Sequence, residues 1–284
     1  MKRLLPIFLL LCPSLSQATI TFSINFKPDA DLLYTEAEKQ MFRDGLNFWD
    51  SLIDGHQDNV DRNFVLDVDA FSQGRDGGPL TLGSAGPRNE ILTNAVASAT
   101  TSDQRYWIAR TGFATFNTHA DAGDLRADVV LHEIGHTLGI GTLWEANEVY
   151  NDGDAGNNYD GKTGAAPIGR YSGVFALAAF QTEFNSGATF VPVEQGGGVG
   201  TANNHWDEID GGSVATGVTD GTGRDFRAEL MTGWAGPNEA DAFVSNTTIQ
   251  SLRDIGFTLH AVPEPSSVLL LGLGSLSVLL RRKR

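Results

Sequence analysis

An α+β fold is what this sequence of 284 residues predicts, on three observations. Strand-like and helix-like stretches are mixed without the regular βαβ alternation of a parallel doubly wound sheet. No repeat of fixed period is present. Between two atypical ends lie roughly 240 residues, enough for one well-buried domain. The expected architecture is an N-terminal mixed sheet with helices (an N-lobe of about 19–141), then a loop-rich C-terminal part (a C-lobe of about 142–261).

Residues 19–26, TITFSINF, alternate apolar and polar side chains and read as a strand. Residues 35–53 place Met41, Leu46, Phe48, Trp49 and Ile53 at roughly helical spacing, and Thr35 with Glu38 forms a capping-box pattern. Residues 63–71, NFVLDVDAF, read as a second strand, and residues 74–87 as a Gly-rich connection. Residues 111–118, TGFATFNT, form a short strand that can pair with an extended substrate. Asp128 is placed to cap a helix through VVLHEIGHTLG, which Gly139 would end. The second half changes character: residues 151–164 and 196–200 are polar and glycine-rich and predict long loops. Between them GVFALAAFQTEF reads as a helix, and TTIQSLRDIGF near the end as another, stopped by Gly256.

The two ends are not read as fold. Residues 1–18 join a basic start, Lys2 and Arg3, to a short apolar run and a small-residue site at Ser16-Gln17-Ala18. That is the pattern of a secretory signal peptide, too short for a membrane span. Residues 262–284 join Pro263-Glu264-Pro265 to an apolar run over 268–280 and four basic residues, 281–284. This tail resembles the PEP-CTERM sorting signal of Gram-negative bacteria. The resemblance implies an exported protein, held transiently at the inner membrane by a transmembrane helix until an exosortase cuts near the motif. Cys12 is the only cysteine and falls in the signal, so a disulfide, a thiolate metal site and a cysteine nucleophile are all excluded from the mature chain. Without the basic residues of the signal and tail, 14 of the 20 Lys and Arg face 35 acidic residues if Glu264 is counted, a balance of −21. Such acidity repels nucleic acid and anionic surfaces.

The chemistry lies in LHEIGHTLGIG. His132 and His136 are i and i+4, so they share a helix face with Cβ atoms about 6 Å apart. Two imidazoles so placed can meet one zinc ion, and Glu133 beside them can reach a water on its open side. A catalytic zinc usually takes three protein ligands. The position where a closely following histidine would complete the set is Thr142. The third donor must come from elsewhere: His56, His119, His205, His260 or Glu145. His56 and His260 are expected in surface loops, and spacing alone does not choose among the five.

HEIGHTLGIG, a late histidine followed by tryptophan, and then ELMTG together resemble the leishmanolysin-type metzincin zinc proteases. The resemblance runs from about residue 111 to 257. In that family an insertion separates the glycine from the third ligand; Gly139 and His205 are 66 positions apart here. It therefore implies His132, His136 and His205 as zinc ligands, Glu133 as general base, and Met231 as the residue flooring the site. It also implies a single metzincin-like catalytic domain over 19–261 that hydrolyses a protein or peptide substrate. The family's disulfides and inhibitory cysteine have no counterpart in this chain. Asp152, Asp154, Asn157, Asn158 and Asp160 have the oxygen-rich look of a Ca2+ loop but not the EF-hand spacing, so a solvated loop is the reading preferred. The reading from another functional class is a non-enzymatic surface or biofilm-matrix protein. A zinc hydrolase acting on a non-peptide substrate is a third.

Overall fold

The computed structural model describes residues 18–74, 82–96, 104–151, 169–196, 200–208, 212, 214–235 and 242–260. The signal segment up to residue 17, the acidic loop at 152–160 and the sorting tail lie outside the described residues.

The principal sheet has four strands in the order β1 (Ile20–Phe26), β3 (Arg62–Phe71), β7 (Thr111–Asn117), β4 (Gly83–Arg88). The first three are parallel, and β4 runs antiparallel to β7. Along β3 the alternate residues Phe64, Leu66, Val68 and Ala70 are buried, as period-two patterning requires. They join one hydrophobic core with Phe42, Leu46 and Trp49 of helix α2 (Glu36–Asp50) and with Val130, Ile134 and Leu138 of helix α3 (Ala127–Leu138). A short helix α1 (Pro28–Leu33) links β1 to α2. The Thr35–Glu38 capping box is formed as expected. The mixture of sheets and helices is α+β.

α2 and α3 approach closely because Gly45 has no side chain. A Cβ there would sit 2.9 Å from Ile134 Cδ1. The Trp49 indole donates to the Leu131 carbonyl at 3.0 Å, fixing one helix along the other. On its other side α3 rests against β7, where a Cβ on Gly112 would come within 2.4 Å of Thr137 Cβ.

Smaller sheets complete the body: β2 (Ile53–His56) with β11 (Phe257–Leu259), β5 (Ile91–Leu92) with β6 (Trp107–Ile108), and β8 (Tyr150–Asn151), β9 (Gly169–Tyr171) and β10 (Val191–Val193) in the order β10–β9–β8. Helices α4 (Val174–Glu183) and α5 (Asn246–Asp254) cap each other. Asp254 accepts from the N–H groups of Phe175 and Ala176, and Glu183 accepts from those of Asn246 and Thr247. Each carboxylate thus meets the positive end of its neighbour helix. Gly256, at φ +99, stops α5 as expected and turns the chain into β11.

Several sequence expectations are corrected. The α2 helix ends at Asp50; Ile53 instead opens β2 and pairs with Leu259, because a strand partner from the far end of the chain competes for it. Part of the expected Gly-rich connection at 74–87 is strand β4, built on backbone pairing that its side chains GSAGPR do not advertise. Asp128 is not the cap of α3. It lies inside the first turn, ion-paired to the capping residue Arg126 and bonded to the Val129 N–H. β7 has a strand on each side, so it has no edge to give a substrate; the edge belongs to β4. His56 is buried and stacked on Phe257 with ring centroids 4.7 Å apart, not in a surface loop. Among the described residues no helix is long and apolar enough to cross a membrane.

Candidate metal centre

α3 presents His132 and His136 one turn apart because its opposite stripe, Val130–Ile134–Leu138, is fully buried. The helix stops at Gly139, whose φ is +110 and whose N–H closes on Gly135 and His136. Thr142, where a closely following ligand would have fallen, instead donates its hydroxyl to the His136 carbonyl at 2.8 Å. Gly141, at φ +76, lets the turn run against the backbone of Asn204: a Cβ there would sit 1.9 Å from the Asn204 oxygen. That contact brings the next residue, His205, to the helix.

His205 is fixed from behind by Trp206. The Trp206 indole stacks on Trp144 at 4.3 Å, meets Tyr171 edge-on at 5.1 Å, and donates to Thr248 Oγ1 at 2.8 Å. Isolated β-bridges join Trp206 to Val193 and to Thr232. Thr248 in turn donates to Glu229, a buried carboxylate that also accepts from Ser245 and from the Met231 N–H at 2.6 Å. Met231 is fully buried, and a Cβ on Gly135 would come within 2.9 Å of its sulfur. The methionine therefore packs on α3 at Gly135, the residue before His136.

The three Nε2 atoms meet. His132 to His136 and His136 to His205 are both 2.9 Å, and His132 to His205 is 3.1 Å. Each Nδ1 faces a backbone carbonyl: Leu230 at 2.6 Å, Ile140 at 2.9 Å and Thr201 at 2.8 Å. A carbonyl only accepts, so each Nδ1 carries the proton and each neutral Nε2 holds a lone pair. Three lone pairs then point at one another. Burial, the leading cause, pushes all three imidazoles below their ordinary range, His136 well below it and His205 to about 3, so a charged ring is not the remedy. A cation held among them would relieve the conflict. For tetrahedral zinc with Zn–N of about 2.0–2.1 Å the nitrogens would be about 3.3 Å apart, so the donor set fits after a shift of a few tenths of an ångström. The carbonyl contacts are the outer support that orients metal-binding imidazoles.

The remaining candidates stand apart from this group. His56 is buried under Phe257. His260 is exposed beside Asp54, at 3.5 Å. Glu145 is exposed, and His119 follows β7. Among the described residues these three histidines are the one group of three or more His, Cys, Asp and Glu so clustered. Glu133 follows His132 on the helix, partly buried, and burial pushes its carboxyl up to about 7. Its Oε1 lies 3.3 Å from where a Cβ on Gly83 would stand, so the first residue of β4 borders the site. The edge strand and Glu229 were missed from sequence. The Gly-rich composition of β4 hid the first, and nothing in the local pattern marks the second.

Comparison with known proteins identifies one segment. Residues 261–284 match the PEP-CTERM protein-sorting motif. No curated protein matches the chain. The motif indicates an exported protein of Gram-negative bacteria and agrees with exosortase as a processing partner.

Proposed function

We propose that this chain is an exported zinc-dependent endopeptidase of the leishmanolysin-like metzincin type. The observation that supports it most is the convergence of three Nε2 lone pairs, two from one helical turn and one from residue 205, beside a glutamate.

In this reading His132, His136 and His205 hold the ion as neutral imidazoles. When bound, zinc supplies a Lewis acid that lowers the pKa of water towards about 7 and polarises a carbonyl. Glu133 accepts a proton from the attacking water, orients that water towards the scissile carbonyl, and returns the proton to the departing amine. Burial around Glu133 raises its carboxyl to about 7, which suits it to take and return a proton near neutral pH. Met231 touches α3 but reaches no reacting atom; it sets the height of the helix above the turn at 229–232. An extended peptide adding to the outer edge of β4 would pass Glu133, since Gly83 borders that side chain. A purely structural zinc site closes its shell with four protein ligands and has no use for a base. Three clustered donors beside Glu133 favour chemistry over a scaffold.

Casein digestion by the zinc-loaded chain tests the proposal. Digestion abolished by a chelator, and a Glu133→Gln variant that keeps its zinc but loses about 10²–10⁴ in rate, are expected. Zinc-loaded wild type that cleaves nothing, or Glu133→Gln at wild-type rate, contradicts it.

A further inference from the structure

A second cluster of ligating groups lies apart from the imidazoles. Glu194 follows β10, and Glu208 stands three residues beyond His205. Both are buried, at 8 % and 2 % exposure. The two carboxyls face each other closely enough to share a hydrogen bond. Glu194 Oε2 has no hydrogen-bond donor and no solvent contact. The Glu208 carboxyl accepts from its own backbone N–H and from Glu194, and its Oε2 receives the long Gly233 N–H, at 3.3 Å. The charges acting on Glu194 are those of Glu208 and Asp207, both negative, with no lysine or arginine among them. Burial, followed by this repulsion, drives Glu194 upward, and burial does the same to Glu208. Gly233 leaves the space open: a Cβ there would stand 2.3 Å from Glu194 Oε2.

Two buried carboxylates, one with an unpartnered oxygen, need a proton or a cation. The donors are all oxygen, which selects a hard ion, and a loop-built site suits the flexible shell of calcium better than the strict octahedron of magnesium. We propose that Glu194 and Glu208 together hold a calcium ion at the base of the loop that carries His205. The Glu194 N–H donates to the His205 carbonyl at 2.9 Å, and the Asn203 N–H donates to the Glu194 carbonyl at 2.7 Å. An ion clamping the two glutamates therefore ties the loop's ends together, which stiffens the mounting of His205. This site stands on its own donors, whatever ion the three histidines take.

Equilibrium dialysis of the full chain against calcium chloride, with a magnesium chloride arm, tests it by counting bound calcium per chain. Wild type is expected to gain a calcium-dependent rise in Tm that magnesium does not reproduce. Glu208→Gln and Glu194→Gln are each expected to bind one calcium fewer and to lose that rise. Gly233→Ala, which keeps both carboxylates but crowds the unpartnered Glu194 Oε2, is expected to lose the same ion, and it covers the case in which the glutamine variants do not fold. A wild-type calcium count in these variants, or a wild-type Tm indifferent to calcium because the pair simply shares a proton, overturns the proposal.

Discussion

Replacing Gly141 with alanine isolates the contact that delivers His205 to α3. The position has φ +76, where an L residue pays about 1–2 kcal/mol. The new Cβ would begin 1.9 Å from the Asn204 oxygen and 2.8 Å from its carbonyl carbon. Real Cβ contacts do not fall below 3.0 Å, so the Asn204 backbone must retreat by about 1 Å. Such overpacking costs about 1–3 kcal/mol. Reduced entropy of the unfolded chain offsets about 0.4–1 kcal/mol of this. The net loss is about 2–4 kcal/mol, or roughly 4–16 °C in Tm for a domain of this size. Gly139→Ala is the control. It also meets a left-handed backbone penalty, at φ +110, but its closest neighbour is the terminal Cδ1 of the Leu143 side chain at 2.8 Å, and residue 204 is not among its nearest contacts. Urea unfolding gives the stabilities, and competition with a chromophoric chelator gives zinc affinity. Gly141→Ala is expected to weaken zinc by about ten- to hundred-fold, the range for a lost ligand support, while Gly139→Ala leaves it near wild type. Equal zinc affinities in the two variants would refute the reasoning.

Two further outcomes follow from other buried polar groups. Thr248→Val keeps the volume but removes a donor to Glu229 and leaves the Trp206 indole N–H buried without an acceptor. Destabilisation of about 2–4 kcal/mol in urea unfolding is expected; a loss under 0.5 kcal/mol would mean the network is slack. His56 has a buried Nδ1 with no partner, and burial, then the Arg62 charge, lower its pKa from 6.5 to about 4. The unfolded chain therefore binds the extra proton between about pH 6.5 and pH 4, and stability falls by roughly 3 kcal/mol as pH drops through that window. His56→Phe, which retains stacking on Phe257, should flatten that part of the urea-midpoint profile; an unchanged slope would show that His56 does not titrate there.

Those parts of the fold whose periodicity is local were legible. The alternation in NFVLDVDAF predicts β3, and the stripe in VVLHEIGHTL predicts α3 within a residue or two. Ile53 misled because its spacing continues α2 while its partner, Leu259, lies some 200 residues away. Strand β4 was invisible because GSAGPR has no alternating apolar set, and its hydrogen bonds to β7 use backbone alone. At the site, two of the three clustered histidines and the glutamate could be read from one helical turn. The place of His205 could not, because it rests on Gly141 meeting Asn204 and on the Trp144–Trp206 stack, neither of which has a local signature. The buried carboxylates Glu194, Glu208 and Glu229 likewise look like surface residues until the chain is folded.

Zinc K-edge X-ray absorption on the purified chain tests the central claim most directly. One zinc bound by three imidazole nitrogens at about 2.0–2.1 Å with a light, exchangeable fourth scatterer is expected, and two imidazoles in His205→Ala. A shell of four protein donors, or an imidazole count unchanged by that substitution, would contradict it.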